Sequence, residues 1–220
     1  YASLFRLPDN YIAIVETLSK KTKGFTRKEL LEHTALPDGG GITKVLTELE
    51  ESGFIRKYIP FNKQLRESLY QLCDFYTLFY FKFIHGARNN DESYWSNSVD
   101  NPKRRSWSGY AFEQVCLAHI PQIKRRLGIS GVSTNVSVWR SHKKNAEAQV
   151  DLVLERRDGI IHLFEMKYSN TEFTIDKKYE ELLRKRAGLF RSETKTRSAV
   201  YTSMLTTYGV KNNSYAQSVL

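Results

Sequence analysis

Two apolar runs, "QVDLVLER" and "GIIHLFEMKYS", flank the turn residues Asp158-Gly159. Runs rich in Val, Leu, Ile and Phe on either side of such a pair read as a β-hairpin. Inside them stand Asp151, Glu165 and Lys167, charged groups that a half-buried strand carries only at a cost unless they are paired. Glu165 and Lys167 are two residues apart, so they share one face of a strand. Whether Asp151 joins them depends on loop length. A two-residue loop sets Arg157 opposite Ile160 and Asp151 opposite Met166, which separates the carboxylates. A three-residue loop, Arg157-Asp158-Gly159, sets Arg156 opposite Ile160 and Asp151 opposite Glu165 on a common face. Glycine suits the left-handed last position of that loop. The expectation is therefore an odd offset, Gly159 at positive φ, and carboxyl groups about 3–6 Å apart, the span of two ligands on one metal. A bulge nearer the site is another way to restore that parity.

Two carboxylates this close repel unless a cation lies between them. Mg²⁺ accepts hard oxygen ligands and is held by one or two carboxylates together with phosphate oxygens. Bound there, it would polarise a phosphodiester and acidify a water, while Lys167 orients that water or stabilises developing charge. Asp151, Glu165 and Lys167 are thus the catalytic candidates, with Asp151 and Glu165 as ligands of Mg²⁺ (or Mn²⁺). Gln149, two before Asp151, is a further polar group on the same face.

The second half of the chain reads helix, strand, strand, strand, helix, strand. "SGYAFEQVCLAHIPQIKRRL" is the first helix, with Phe112, Val115, Cys116 and His119 inward and Glu113 at the edge of that face. "VSTNVSVWR" is the first strand. "DKKYEELLRKRAGLF" is the second helix, with Tyr179, Leu182, Leu183, Ala187 and Phe190 inward, and "RSAVYTSML" is a buried last strand. Lys177, Lys178, Arg184 and Lys185 are candidate contacts to a DNA backbone. Glu180 with Arg184 and Glu181 with Lys185 are also i,i+4 pairs, so a self-paired solvated face is the alternative.

The first half reads as three helices and a hairpin, the winged-helix order. "NYIAIVETLSKK" carries Ile12, Val15 and Leu18 at helical spacing. "TRKELLEHT" opens with a capping box, Thr26 with Glu29. "GGGITKVLTELEESGF" aligns Ile42, Val45, Leu46 and Leu49, and Gly53 suits its stop. "FIRKYIPFN" and "ESLYQLCD" are the hairpin, and "DFYTLFYFKFI" is expected as a helix buried among neighbours. Glu48, Glu50 and Glu51 argue against the third helix entering a DNA groove. Arg56 and Lys57, with Lys63 and Arg66, keep a backbone contact by the hairpin open. "PDGGGITK" lacks the order of a phosphate-binding loop. The boundaries expected are residues 1–88, a polar linker at 89–106, and residues 107–220.

The net charge of +10 across 220 residues favours an anionic partner, most simply nucleic acid, with DNA as the expected one. It is uneven: residues 1–88 carry 13 Lys+Arg against 10 Asp+Glu, and residues 89–220 carry 21 against 14. Cys73 and Cys116 make no CxxC pair, which fits a reducing, cytoplasmic setting and argues against a disulfide scaffold. Cys116 with His119 lacks the second pair that a zinc site needs. His33, His85, His142 and His162 show no usable spacing. No apolar run approaches the ~18 residues of a membrane span. The chain opens at Tyr1 rather than methionine and so reads as a fragment.

The pattern Asp151, then Glu165-x-Lys167 across a hairpin behind a Glu-bearing helix, resembles the PD-(D/E)xK nuclease superfamily. The resemblance implies a restriction-endonuclease-like αβββαβ core of α+β or α/β class with a mixed sheet. It also implies Glu113 as a third metal carboxylate and the Met166 carbonyl as a further ligand. Val150 stands where the superfamily name has proline. The blocks "GGGITKVLTELEESGFI", "WSGYAFEQVCLAHI" and "AQVDLVLERRDGIIHLFEMKYS" together resemble the C-terminal region of a prokaryotic AAA-type ATPase family carrying a winged helix and a nuclease-like domain. That implies an ATPase domain upstream as a partner. Two functions follow as expectations: a metal-dependent DNA phosphodiesterase, or a catalytically silent DNA- or protein-binding regulatory module.

Overall fold

The computed structural model describes residues 8–86, 93–98, 101–141 and 148–219. The chain forms two compact units, Tyr1–Glu92 and Ser93–Leu220. Part of the expected linker and His142 lie outside the described residues. The rest of that linker is not irregular: Ser93 onward belongs to the second unit and contains the start of two helices.

In the first unit, helix α1 (Pro8–Ser19) is followed by strand β1 (Phe25–Thr26), helices α2 (Arg27–Thr34) and α3 (Gly40–Glu51), and strands β2 (Ile55–Tyr58) and β3 (Leu69–Leu72). The capping box forms as expected: Glu29 N–H donates to Thr26 Oγ1 at 3.2 Å, and Thr26 N–H donates to Glu29 Oε2 at 2.7 Å. The stripe Ile42, Val45, Leu46 and Leu49 of α3 is buried, as are Ile14, Val15 and Leu18 of α1 in the same unit. The sheet is antiparallel in the order β1-β3-β2. The short strand β1 was not visible as a periodic run, because two residues carry no period. The aromatic segment differs from expectation. It forms helix α4 (Phe75–Phe79) and a π-helical turn over Tyr80–Ile84, and Phe75, Tyr76 and Ile84 are exposed. A run apolar on all sides cannot bury every side at the edge of so small a unit.

The second unit holds helices α5 (Tyr94–Asn97), α6 (Pro102–Ala118) and α7 (Ile120–Arg126), strands β4 (Thr134–Arg140), β5 (Gln149–Arg156) and β6 (Ile160–Lys167), helix α8 (Lys177–Thr194) and strand β7 (Ala199–Thr206). The sheet is mixed, in the order β4-β5-β6-β7, with β6 and β7 parallel and the other pairs antiparallel. One face packs on α6 and α7: Leu152, Leu154, Phe164 and Met166 form a core with Cys116, Ile123 and Ile129. The other face packs on α8: Val150, Leu163 and Glu165 line a small cavity with Leu183, Arg186 and Ala187. The expected single helix is split at His119, because Pro121 cannot donate to the preceding turn. Of its expected inward face, Cys116 is buried and Phe112 packs against the same core, whereas Val115 and His119 are exposed and Gln114 is buried instead.

Candidate functional site

The hairpin loop has the predicted form. Glu155 pairs with Ile161 and Leu152 with Phe164, a register that sets Arg156 opposite Ile160. Gly159 has φ +84° and donates its N–H to the Arg156 carbonyl at 3.2 Å. Continued by one residue, that register would set Asp151 opposite Glu165.

A β-bulge intervenes. Against β4, Ser137 pairs with Val153, but Trp139 pairs with Val150, so β5 has one residue more than its partner over this stretch. Val153 and Val150 therefore both face α8. Trp139, opposite Val150, meets Phe190 of α8 at 5.3 Å between ring centroids, which fixes that side. The two residues between them, Asp151 and Leu152, share the other face, and Leu152 is buried in the α6 core. Gln149 follows the same alternation. Its amide Nε2 donates to Asp151 Oδ1, and Arg140 donates to its Oε1 at 3.0 Å. The expected convergence of Asp151 with Glu165 is thus corrected: the loop preserves the parity and the bulge then reverses it. Glu113, on α6, belongs to the Asp151 side of the sheet and not to the Glu165 side.

Glu165 and Lys167 do share a face, and what they meet there is α8. Glu165 is 8% exposed. Its Oε1 accepts from the Tyr179 hydroxyl at 2.7 Å and lies 3.0 Å from Lys167 Nζ, and its Oε2 accepts from Arg186 Nη1. Lys167 also stands 5.9 Å from the centre of the Tyr179 ring. Burial alone pushes the Glu165 carboxyl up. The Arg186 charge, the Tyr179 hydroxyl and Lys167 outweigh it and hold the group below the ordinary glutamate value. Tyr179 moves the opposite way, pushed up by burial and by its bond to the carboxylate. The result is a cluster of one anion, two cations and a hydroxyl, with the Lys167 end partly open to solvent.

This donor set does not fit the metal that the sequence motif implies. Both Glu165 oxygens are taken by cationic or hydroxyl donors, and the second carboxylate stands on the far face. Among the described residues no three His, Cys, Asp or Glu side chains group closely enough to hold a metal ion. Sequence reasoning placed Tyr179 inward but missed Arg186. The available signal was its position three residues after Leu183 and seven after Tyr179, on the edge of the stripe that buries α8. A cation there needs a buried anion.

The candidate DNA contacts divide. Arg56 is half-buried beside the Cys73 thiol, and Lys57 lies 5.8 Å from the Tyr70 ring centre, so both are engaged with their own sheet. Lys177, Lys178, Arg184 and Lys185 are all exposed on α8, with Arg184 at 3.8 Å from Glu180. On α3, Glu48 is turned toward the Tyr11 hydroxyl, which donates to it. The cysteines remain unpaired thiols, and Cys116 is pushed up to about 11 by burial and by the Glu113 charge. No helix among the described residues is long and apolar enough to cross a membrane. Comparison with protein-family models, with curated proteins and with solved structures finds no match.

Proposed function

We propose that the chain is a nucleic-acid-binding effector region of an ATPase assembly, built from a winged helix and a nuclease-like unit that is catalytically silent. The observation that carries the second half is the occupation of Glu165 by Arg186, Tyr179 and Lys167 while Asp151 faces away. A carboxylate whose oxygens are taken by Arg186, Tyr179 and Lys167 offers no open ligand position to Mg²⁺. The winged-helix reading rests on the order α1-β1-α2-α3-β2-β3 with β3 central in the sheet. The restriction-endonuclease-like reading rests on the αβββαβ order and the mixed sheet with β6 and β7 parallel. The binding half rests on a net charge of +10, most of it in the second unit.

The test is incubation of the purified chain with supercoiled plasmid in Mg²⁺ or Mn²⁺, alongside a salt titration of DNA binding. The expected outcome is binding that weakens steeply with salt and no nicking. Metal-dependent nicking that disappears in Lys167→Ala would instead establish the phosphodiesterase reading. The odd hairpin offset and the Glu165-x-Lys167 pair are what keep that second reading in view.

A further inference from the structure

A groove of ≈ 490 Å³ runs along the first two turns of α8, and its floor adjoins the carboxylate cluster. Three apolar groups make the floor: Phe173, Tyr179 and Leu182. Phe173 and Tyr179 pack edge to face with ring centroids 5.2 Å apart. Leu182, which the helical pattern predicts to be inward, is 47% exposed because it belongs to this floor rather than to the sheet contact. Phe173 is held rigidly, since its N–H donates to the Gly209 carbonyl and its carbonyl accepts from Lys211 N–H, both at 2.9 Å.

Lys178 and Lys185 stand on the groove wall, about 10 Å apart along the helix axis. Lys177 is exposed beside them. Two acids also line the groove. Asp176 caps α8, its Oδ1 accepting the Tyr179 N–H at 2.7 Å, so its charge is set against the positive end of the helix. With Glu181 it balances Lys178 and Lys185 in the lining, and the exposed Lys177 beside them leaves the rim net cationic. An aromatic floor with a cationic rim is complementary to a flexible polyanion whose units carry flat apolar faces. Base stacking on such a floor, with phosphates on the lysines, describes single-stranded nucleic acid. A duplex hides its base faces and would meet only the lysines.

We infer that this groove binds single-stranded DNA or RNA, with a base on Phe173 and Leu182 and its flanking phosphates on Lys178 and Lys185. The inference deepens the binding half of the proposed function and is independent of whether the unit cleaves. It also supplies a reason for the neighbouring cluster: Tyr179 is both the floor of the groove and a donor to Glu165, so the cluster holds the floor in place.

The experiment is fluorescence anisotropy of the whole chain with a labelled oligothymidylate and with a blunt duplex of equal length, across a salt series. The single strand is expected to bind more tightly. The exposed substitution Leu182→Ser and the ring removal Phe173→Leu should each weaken single-strand binding about five- to tenfold and leave duplex binding unchanged. Lys178→Glu with Lys185→Glu should lower the slope of log affinity against log salt by ~1.4, two single-strand phosphate contacts. Equal binding of both nucleic acids, indifferent to Leu182 and Phe173, would overturn the groove assignment while leaving the basic binding module standing. No binding of either at low salt would overturn both. Displacement of the oligonucleotide by poly-glutamate at equal charge would overturn the nucleic-acid assignment in favour of an acidic protein.

Discussion

Arg186→Met tests whether the Glu165 cluster is a structural clamp. The substitution keeps an unbranched apolar stem and removes the guanidinium. What remains around the carboxylate is the Tyr179 hydroxyl and Lys167, whose side chain is 41% exposed and is screened accordingly. Removing one partner of a buried pair costs roughly 3–5 kcal/mol, because the other charge stays buried. Two surviving donors put this case at the lower end, about 3 kcal/mol. For a unit of this size a loss of about 1 kcal/mol lowers Tm by roughly 3–4 °C, so Tm should fall about 10 °C. Replacing both partners, Glu165→Leu with Arg186→Met, removes the stranded charge and should recover most of that loss. Calorimetry of the three proteins at neutral pH is the measurement. A single variant within about 1 kcal/mol of the parent, or a double variant no better than the single, would refute the clamp.

Four further outcomes are expected. His162 is 3% exposed, with Nδ1 at 3.0 Å from Ser203 Oγ and Nε2 facing Arg156 at 3.4 Å; burial first, then Arg156, lowers its pKa, with Asp158 opposing. A base depressed in the fold contributes stability above its unfolded value near 6.5 and loses it as pH falls through the folded value, so Tm should drop on acidification below about pH 6.5, less so in His162→Gln. Glu165, also depressed, should add a second loss below about pH 4.3, absent from the Glu165→Leu, Arg186→Met protein. Gly159→Val, at φ +84°, should cost about 1–2 kcal/mol in urea unfolding, since a β-branched residue is strained there. Neither Mg²⁺ nor Mn²⁺ should raise Tm, and calorimetric titration should detect no difference between the parent and Asp151→Asn.

The legible parts of this fold are those written in local chemistry. Thr26 and Glu29 announce their cap within four residues, and Gly159 announces a three-residue loop by its tolerance of a left-handed backbone. The α3 stripe follows from spacing alone. The site was less legible because it depends on parity, and parity is not local. One surplus residue in β5, opposite β4, turns Asp151 from one face of the sheet to the other, and nothing in "QVDLV" marks a bulge. Val115 and Leu182 were misread for a related reason. Helical period gives a stripe, but only tertiary contact decides where its edge falls, and there Gln114 is buried in place of its apolar neighbour. Tyr80–Ile84 departs furthest, since a run of aromatics fits several helical windings equally well.

The parallel pairing of β6 with β7 has a kinetic consequence. The strands β4, β5 and β6 follow one another closely in sequence, while Ile160 reaches its partner Ala199 only after the chain has run out along α8 and back. Closing that crossover carries the larger loop entropy, so it belongs late in folding. The bonds from Glu165 to Tyr179 and Arg186 lie inside that crossover and tie α8 to β6 before β7 is reached. Interactions formed before the transition state act on the arrival rate, and those formed after it on the escape rate. A clamp that docks α8 early shortens the loop left to close, so Arg186→Met is expected to slow refolding as well as accelerate unfolding, the two factors together amounting to about 100-fold for a loss of about 3 kcal/mol.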